Sequence, residues 1–148
     1  MAQTSNAIQP GNYKIEISED GVTWTDISGY ANNIALSGGA RASGETYTYD
    51  GDTAILGVGK REPVEATVSV VYTEAGTPPT ETIRTWNENA TQAYMRYSPA
   101  GGSSGDFQYT GQGYFLSPIL PNNEANSNTP IPIEFTFRTP EFVKSVVA

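Results

Sequence analysis

The residues that could perform chemistry in this sequence are mainly acids, because the chain has no histidine and no cysteine. Histidine is the commonest general base and metal ligand, and cysteine supplies thiolate chemistry and disulfides. Sixteen Asp and Glu among 148 residues make chance pairs common. None of them lies in a pattern that predicts the raised pKa that hydrolysis by paired carboxylates requires. We therefore expect no catalytic site.

Residues 57–60 read GVGK and resemble part of a phosphate-binding loop. Such a loop needs Gly, four residues, Gly-Lys and Ser or Thr at the start of a helix. Here Arg61 follows the lysine, and the alternation after Pro63 predicts a strand. The pattern favours a glycine-rich turn before a strand, so no cofactor is expected.

Asp50 and Asp52 flank Gly51 and could supply half of a calcium loop. An EF-hand needs further oxygen ligands and a Glu at the twelfth position, where this chain has Arg61. An ordinary turn is the favoured interpretation, and no metal site is predicted. A weak calcium site in this segment stays the alternative.

The net charge of −8 argues against a tightly held nucleic acid, because phosphates are bound by Lys and Arg. Residues 1–11 lack the basic and apolar regions of a secretory signal, and no apolar run is long enough for a membrane span. We expect a soluble protein made in the cytoplasm, with no membrane partner. An apolar fraction of 37% indicates a thin β-structure or burial completed by neighbouring copies.

Apolar and polar residues alternate with period two over most of the chain, which predicts half-buried strands. The predicted strands are Tyr13–Ile17, Val22–Asp26, Tyr30–Leu36, Pro63–Thr73, Gln92–Tyr97, Phe107–Pro118 and Ile131–Arg138. Residues 80–90 instead carry apolar side chains at helical spacing, with Thr80 as the expected N-cap. These elements predict one mainly β domain over residues 1–148, a β-sandwich or small barrel with one short flanking helix.

Residues 37–59 are predicted to form a long loop or an extended hairpin arm, in which Thr46–Tyr49 could be extended and Gly57 and Gly59 end a short strand. Residues 1–11 and 143–148 are expected to be an N-terminal arm and a C-terminal tail. Two glycines in the Phe107–Pro118 strand predict a bulge or a close backbone approach. Pro132 has no N–H to donate, so its strand should lie at an edge or begin there.

The strand phases predict which side chains face inward. The expected core residues are Ile15, Ile17, Trp24, Val68, Val70, Trp86, Ile133, Phe135 and Phe137. The expected polar faces carry Glu16, Glu65, Thr67, Ser69, Glu134 and Thr136. Four tyrosines of ambiguous phase would suit a protein interface: Tyr47, Tyr49, Tyr109 and Tyr114.

Four stretches together resemble the major tail tube proteins of long-tailed bacteriophages. They read GNYKIEISEDGVTWTDISG, GDTAILGVGKREPVEATVSVVYTE, TETIRTWNENA and PIPIEFTFRTPEF. The resemblance runs from about Gly11 to Phe142, and the GKREPV entry into a long alternating strand carries most of it.

The resemblance implies a virion structural protein whose six copies form a ring, with the inner sheets joined into one β-barrel around a channel. Rings would stack into a tube in the virion tail after synthesis and assembly in the host cytoplasm, and DNA would pass through without specific binding. The implied partners are further copies and the tail terminator, tape measure and tail tip proteins. Contacts between copies are expected at Arg41, Thr46, Tyr47, Thr48, Tyr49, Asp50, Lys60 and Arg61. The lumen candidates are the polar-face residues Glu16, Glu65, Thr67, Ser69, Glu134 and Thr136.

Two other functions stay open at this point. An immunoglobulin-like decoration or adhesion module, which could bind sugars, would be monomeric and would expose an aromatic platform. A tail terminator or other joining protein would form a ring but no filament.

Overall fold

The computed structural model describes residues 2–117, 120–126 and 128–148, and it is built mainly from antiparallel strands. The strands are β1 (Lys14–Ser18), β2 (Thr25–Asp26), β3 (Ala31–Gly38), β4 (Arg41–Thr46), β5 (Ile55–Arg61), β6 (Val64–Val71), β7 (Ala93–Ser98), β8 (Phe107–Phe115), β9 (Pro132–Thr139) and β10 (Phe142–Val146). The α-helix α1 spans Pro79–Glu88, and a short 3-10 turn spans Pro10–Asn12. The predicted fold class is confirmed. Met1 of the expected N-terminal arm and Pro118, the predicted end of a strand, lie outside the described residues.

Strand β8 connects two halves of the main sheet, whose order is β2-β1-β7-β8-β9-β6-β3 with β10 also paired to β8. Its first part pairs with β7 and β10, and its last residues pair with β9. We call β2-β1-β7-β8-β10 sheet A and β8-β9-β6-β3 sheet B. A Cβ on Gly113 would lie 1.9 Å from the Arg138 carbonyl oxygen, so the predicted close backbone approach is confirmed and lies where β8 passes between sheets.

The core lies on the inner faces of the two sheets, and eight of the nine predicted core residues are buried. The centroid of the Phe115 ring lies 5.7 Å from that of Trp86, 5.5 Å from that of Phe135 and 4.9 Å from that of Phe137. These ring contacts join the helix to sheet B. The prediction for Trp24 is wrong, since its side chain is only partly buried. Strand β2 is only two residues long, so Trp24 precedes it at the rim of sheet A.

Helix α1 begins earlier than predicted, with Pro78 in place of Thr80 at the N-cap and Pro79 in the first turn. Proline suits that position because the first helical N–H groups have no partner within the helix. Thr80 is therefore not the N-cap and is buried in the first turn instead. The Asn87 side-chain amide donates a 2.8 Å hydrogen bond to the Phe115 carbonyl, which ties the helix to β8.

Two predictions about the end of the chain are settled by strand pairing. Strand β9 lies between β6 and β8, so it is not an edge strand, but Pro132 is its first residue and the alternative that it begins there is confirmed. The expected C-terminal tail is mostly strand, because Phe142–Val146 pairs antiparallel with β8. Apolar and polar residues do not alternate in Phe142–Val146, so the period does not reveal this strand, and the backbone partner on β8 decides its structure.

Residues 41–61 form the extended hairpin that was one of the two predicted alternatives, since β4 and β5 pair antiparallel from Thr46↔Ile55 to Arg41↔Arg61. We call this hairpin with its turn the arm. The predicted break at Gly57 and Gly59 is wrong, because both residues lie inside β5. The GVGK segment is accordingly strand, neither phosphate loop nor turn. Of Thr46–Tyr49, Thr46 alone belongs to a strand.

Candidate assembly surfaces

The outer surface of sheet B brings five of the six predicted lumen residues together. Thr67 pairs with Thr136 and Ser69 pairs with Glu134 across β6 and β9, while Glu65 pairs with Arg138. These side chains share one face because residues of equal phase on paired strands point the same way. Strand β3 extends the face through Asn33, Ala35 and Ser37. We call this surface the polar face.

Sequence reasoning did not place the β3 residues on this face, because period alone gives a residue's side but not its neighbours. Only the register of β3 on β6 and of β6 on β9 shows that Ser37, Glu65 and Arg138 form one row across three strands. The face therefore carries hydroxyl and amide groups, two acids and one base.

Glu16, the sixth predicted lumen residue, lies elsewhere. It belongs to β1 in sheet A and is only 8% exposed. Its carboxylate accepts hydrogen bonds from Arg96 Nε at 2.8 Å and Nη2 at 3.1 Å, with Lys14 Nζ at 3.8 Å. The Arg96 guanidinium lies 4.1 Å from the centre of the Trp24 ring. Such a mostly buried, two-pronged ion pair connects β1 to β7.

Every residue of β4 and β5 is exposed, so within the part of the chain that the structure describes neither face of the arm is buried. Apolar side chains are among them: Ile55, Leu56 and Val58 are 58–74% exposed, and Tyr47 and Tyr49 in the turn are exposed as well. A two-stranded hairpin in water is marginally stable at best, and exposed apolar residues in one place indicate a contact surface. The arm therefore has the properties of a segment that another molecule covers.

The root of the arm, where the chain leaves β3 and returns to β6, has a defined backbone geometry. Gly38 and Gly39 both have positive φ, +82° and +78°, and a Cβ on Gly38 would lie 2.2 Å from the Pro63 carbonyl oxygen. Only glycine fits such a site without strain. The Glu62 N–H donates a 2.9 Å hydrogen bond to the Ala40 carbonyl and closes the root. The glycine pair thus directs the chain out of sheet B into the arm.

The structure separates the eight predicted contact residues into two groups on the arm. Thr46, Tyr47, Thr48, Tyr49 and Asp50 lie at its tip, while Arg41, Lys60 and Arg61 lie at its root. All eight are exposed. We use tip and root for these two ends below.

The sequence matches no protein-family model, and no curated protein matches it significantly. Solved structures do match. A chain of the SPP1 tail tube has a TM-score of 0.68 at 15% identity, covering 95% of this chain and 80% of that chain. A chain from the tail of an empty GTA particle with C6 symmetry has a TM-score of 0.67 at 13% identity, covering 99% and 100%. This chain has the tail tube fold.

The same fold occurs in a chain of the sheath-tube complex of an extracellular contractile injection system, PVC, with a TM-score of 0.66 at 13% identity, covering 97% of this chain and 94% of that chain. The resemblance that the sequence predicted is confirmed for the fold. Coverage is nearly complete in each comparison, so the tail tube fold includes both the sandwich and the arm.

The raised pKa of one tyrosine in this tail tube fold results from its burial against two other tyrosines. Burial, followed by the neighbouring Tyr97 and Tyr109, raises the pKa of Tyr13 to about 12. The three rings stack in a row from Tyr13, the residue before β1, across β7 to β8, with neighbouring centroids 5.8 Å and 5.1 Å apart. Tyr109 is thereby part of the packed body, whereas Tyr114 is 43% exposed beside the polar face.

Asp50 and Asp52, the candidate calcium ligands, lie in the turn of the arm. Within the part of the chain that the structure describes, no group of three or more Asp, Glu, His or Cys side chains could hold a metal ion. Across residues 2–117, 120–126 and 128–148, no helix has the length and hydropathy that a membrane crossing requires.

Proposed function

We propose that this chain is a virion structural protein that polymerises as stacked, six-subunit rings into a tail tube, with no enzymatic activity. The observation that carries the proposal is the match of 95% or more of the chain to chains of tail and tube assemblies. The exposed arm supports it, because a hairpin that no described part of its own chain buries needs a partner in another copy.

The polar face of sheet B is the proposed lining of the channel, with Glu65, Thr67, Ser69, Glu134 and Thr136 toward the lumen. Among the described residues β3 pairs with β6 alone, so one edge of sheet B is free to pair with the sheet of a neighbouring copy. Closure of several such sheets around an axis would leave no open edge, as in other barrels. Glu16 has no place in this lining, because Arg96 and the packing of sheet A enclose it.

The arm is the proposed contact between copies and between rings, through both its tip and its root. The further proposed partners are terminator, tape measure and tail tip proteins. DNA would pass through the channel without specific binding. Six copies at −8 would give a ring of −48, and that balance disfavours stable phosphate contacts.

The purified protein, concentrated or mixed with a tail initiator complex, should form hollow tubes of uniform width. Electron microscopy and sedimentation velocity check this. Single rings that do not stack would favour a terminator or joining protein, and persistent monomers would favour an isolated decoration module. Either result would contradict the proposed polymerisation.

Reversing the charge of the two acids of the polar face tests whether DNA passes through the channel without binding to it. Glu65→Lys with Glu134→Lys should leave tube formation intact, since the face is solvated, but the tubes should retain duplex DNA and lose that retention as salt rises. Wild-type tubes should retain none at physiological salt. A matched control, Glu19→Lys with Glu88→Lys, makes the same charge change at exposed positions outside this face and should behave like wild type. Salt-sensitive retention of DNA by wild-type tubes would contradict the proposal that DNA passes through without binding.

A further inference from the structure

The arm carries opposite charges at its two ends. Asp50 and Asp52 lie in the turn at the tip, and Arg41, Lys60 and Arg61 lie at the root, so three of the eight bases in the chain occupy one small region. All five side chains are exposed. In a chain with a net charge of −8, such a concentration of bases is a distinct surface feature.

The chain's own groups neutralise the root only weakly. Arg41 and Arg61 are directly opposite each other on β4 and β5, an arrangement in which like charges repel. Arg41 Nη1 donates a 3.3 Å hydrogen bond to the Gly59 carbonyl, and Arg61 lies 3.9 Å from Glu141 with both side chains more than half-exposed. An exposed ion pair of that length contributes little.

The acids of the tip have no basic partner among the described residues. Among the described residues, no Lys or Arg nitrogen lies within 4.0 Å of a carboxylate oxygen of Asp50 or Asp52, and no carboxylate lies that close to Lys60. Glu62 follows Arg61 in sequence, so the root holds three bases beside Glu62 and Glu141. The root stays cationic and the tip anionic.

The two ends of one arm cannot neutralise each other. Strand β5 runs from Ile55 to Arg61, and at about 3.3 Å per residue its ends are roughly 20 Å apart. That distance exceeds the Debye length of about 8 Å at physiological salt, so the attraction between the two ends is largely screened. A second copy of the chain can bring an acidic tip to a basic root.

We propose that the tip of one copy's arm docks at the root of a neighbouring copy's arm, with Asp50 and Asp52 facing Arg41, Lys60 and Arg61. This contact rests on the proposed tube function and deepens it by naming the surfaces that meet. It is a head-to-tail contact between unlike surfaces, and such contacts propagate into rings or filaments. Charge complementarity at this point sets the register between copies and disfavours wrong alignments.

Charge reversal tests the contact. The tip variant is Asp50→Lys with Asp52→Lys, and the root variant is Lys60→Asp with Arg61→Asp. In each variant alone, tip and root have the same sign, so the concentration needed for assembly should rise at least about tenfold, the effect of about 1.4 kcal/mol per contact. An equimolar mixture of the two variants places each reversed end against an opposite charge and should restore assembly, as should one chain carrying all four changes.

The outcomes separate the contact from the tube. If the wild-type protein forms no tubes, the proposed function fails and the contact fails with it. If wild-type tubes form and the single-end variants assemble equally well, the tube stands and the contact is wrong. Loss of assembly without recovery in the mixture also overturns the contact. Glu19→Lys with Glu88→Lys matches the charge change of the tip variant and should assemble normally.

Disulfide trapping gives a second measurement that does not depend on weakened assembly. The chain has no cysteine, so Asp52→Cys with Lys60→Cys introduces the sole thiols. Disulfides need Cα atoms within about 7 Å, so these two cannot join within one arm. Oxidised tubes should yield a ladder of covalent multimers on non-reducing gels, whereas Asp52→Cys alone should yield none beyond dimers. Tubes of the double variant that give no ladder would overturn the contact.

Discussion

Replacing residues 39–63 by a two-residue Asn-Gly turn should give a folded monomer that forms no tubes. Gly38 and Val64 are paired across β3 and β6, so a two-residue turn can join these strands into an ordinary hairpin. The arm supplies none of the buried core residues, so the free energy of unfolding should change by less than about 1 kcal/mol. Urea unfolding measures the stability, and sedimentation velocity and electron microscopy measure assembly.

Amide hydrogen exchange on the full chain should agree with that result. Amides of β4 and β5 should exchange fast in the monomer, because every residue of the two strands is exposed, and slowly in the tube. Tubes formed by the armless variant, or equal arm protection in monomer and tube, would show that the arm makes no contact between copies. An armless chain that does not fold would contradict the independence of the sandwich.

Phe135→Ala should lower the free energy of unfolding by about 3–5 kcal/mol, the largest effect that we expect from a single substitution. The side chain is 1% exposed, packs edge-on against Phe115 at 5.5 Å and lies opposite Val68 on β6. Its removal loses apolar burial and leaves a cavity between the sheets. Urea unfolding of the monomer measures the change.

The neighbouring residue provides the control for this prediction. Glu134 precedes Phe135 on β9 and points to the polar face, where it is exposed. Glu134→Ala should change stability by no more than about 0.5 kcal/mol. A loss under about 1 kcal/mol for Phe135→Ala, or a comparable loss for both, would mean that the assigned faces of β9 are wrong, because a register slip of one residue exchanges them.

The most accurate predictions came from strands with an uninterrupted alternation. Every second residue is buried from Ala66 to Val70 in β6 and from Ile133 to Thr139 in β9, and Val68, Val70, Ile133, Phe135 and Phe137 were assigned correctly. A period of two follows from the pleat of a single strand, so it is visible without knowing the partner strands. Helix α1 was found for the same reason, from Ile83 and Trp86 on one helical stripe.

Predictions failed where a residue's environment depends on a distant strand. The phase of Glu16 is right for an outward side chain, but Arg96, 80 residues away, covers it. Trp24 follows the strand alternation, yet β2 is too short to bury it. The glycines in β5 suggested a break, because glycine weakens strands on average. In an arm with both faces exposed, a glycine removes no side-chain packing, and the strand continues through both of them.

Local chemistry in the sequence determined that the chain is mainly β with one short helix, which strand faces are apolar, and that no His or Cys chemistry is available. The tertiary structure alone decided that β8 passes between the two sheets, that five polar residues of β6 and β9 form one face, and that the acids and bases of the arm lie at opposite ends. The physical reason is that side-chain phase is a property of one strand, whereas the faces and surfaces that copies can share arise from registers between strands far apart in sequence.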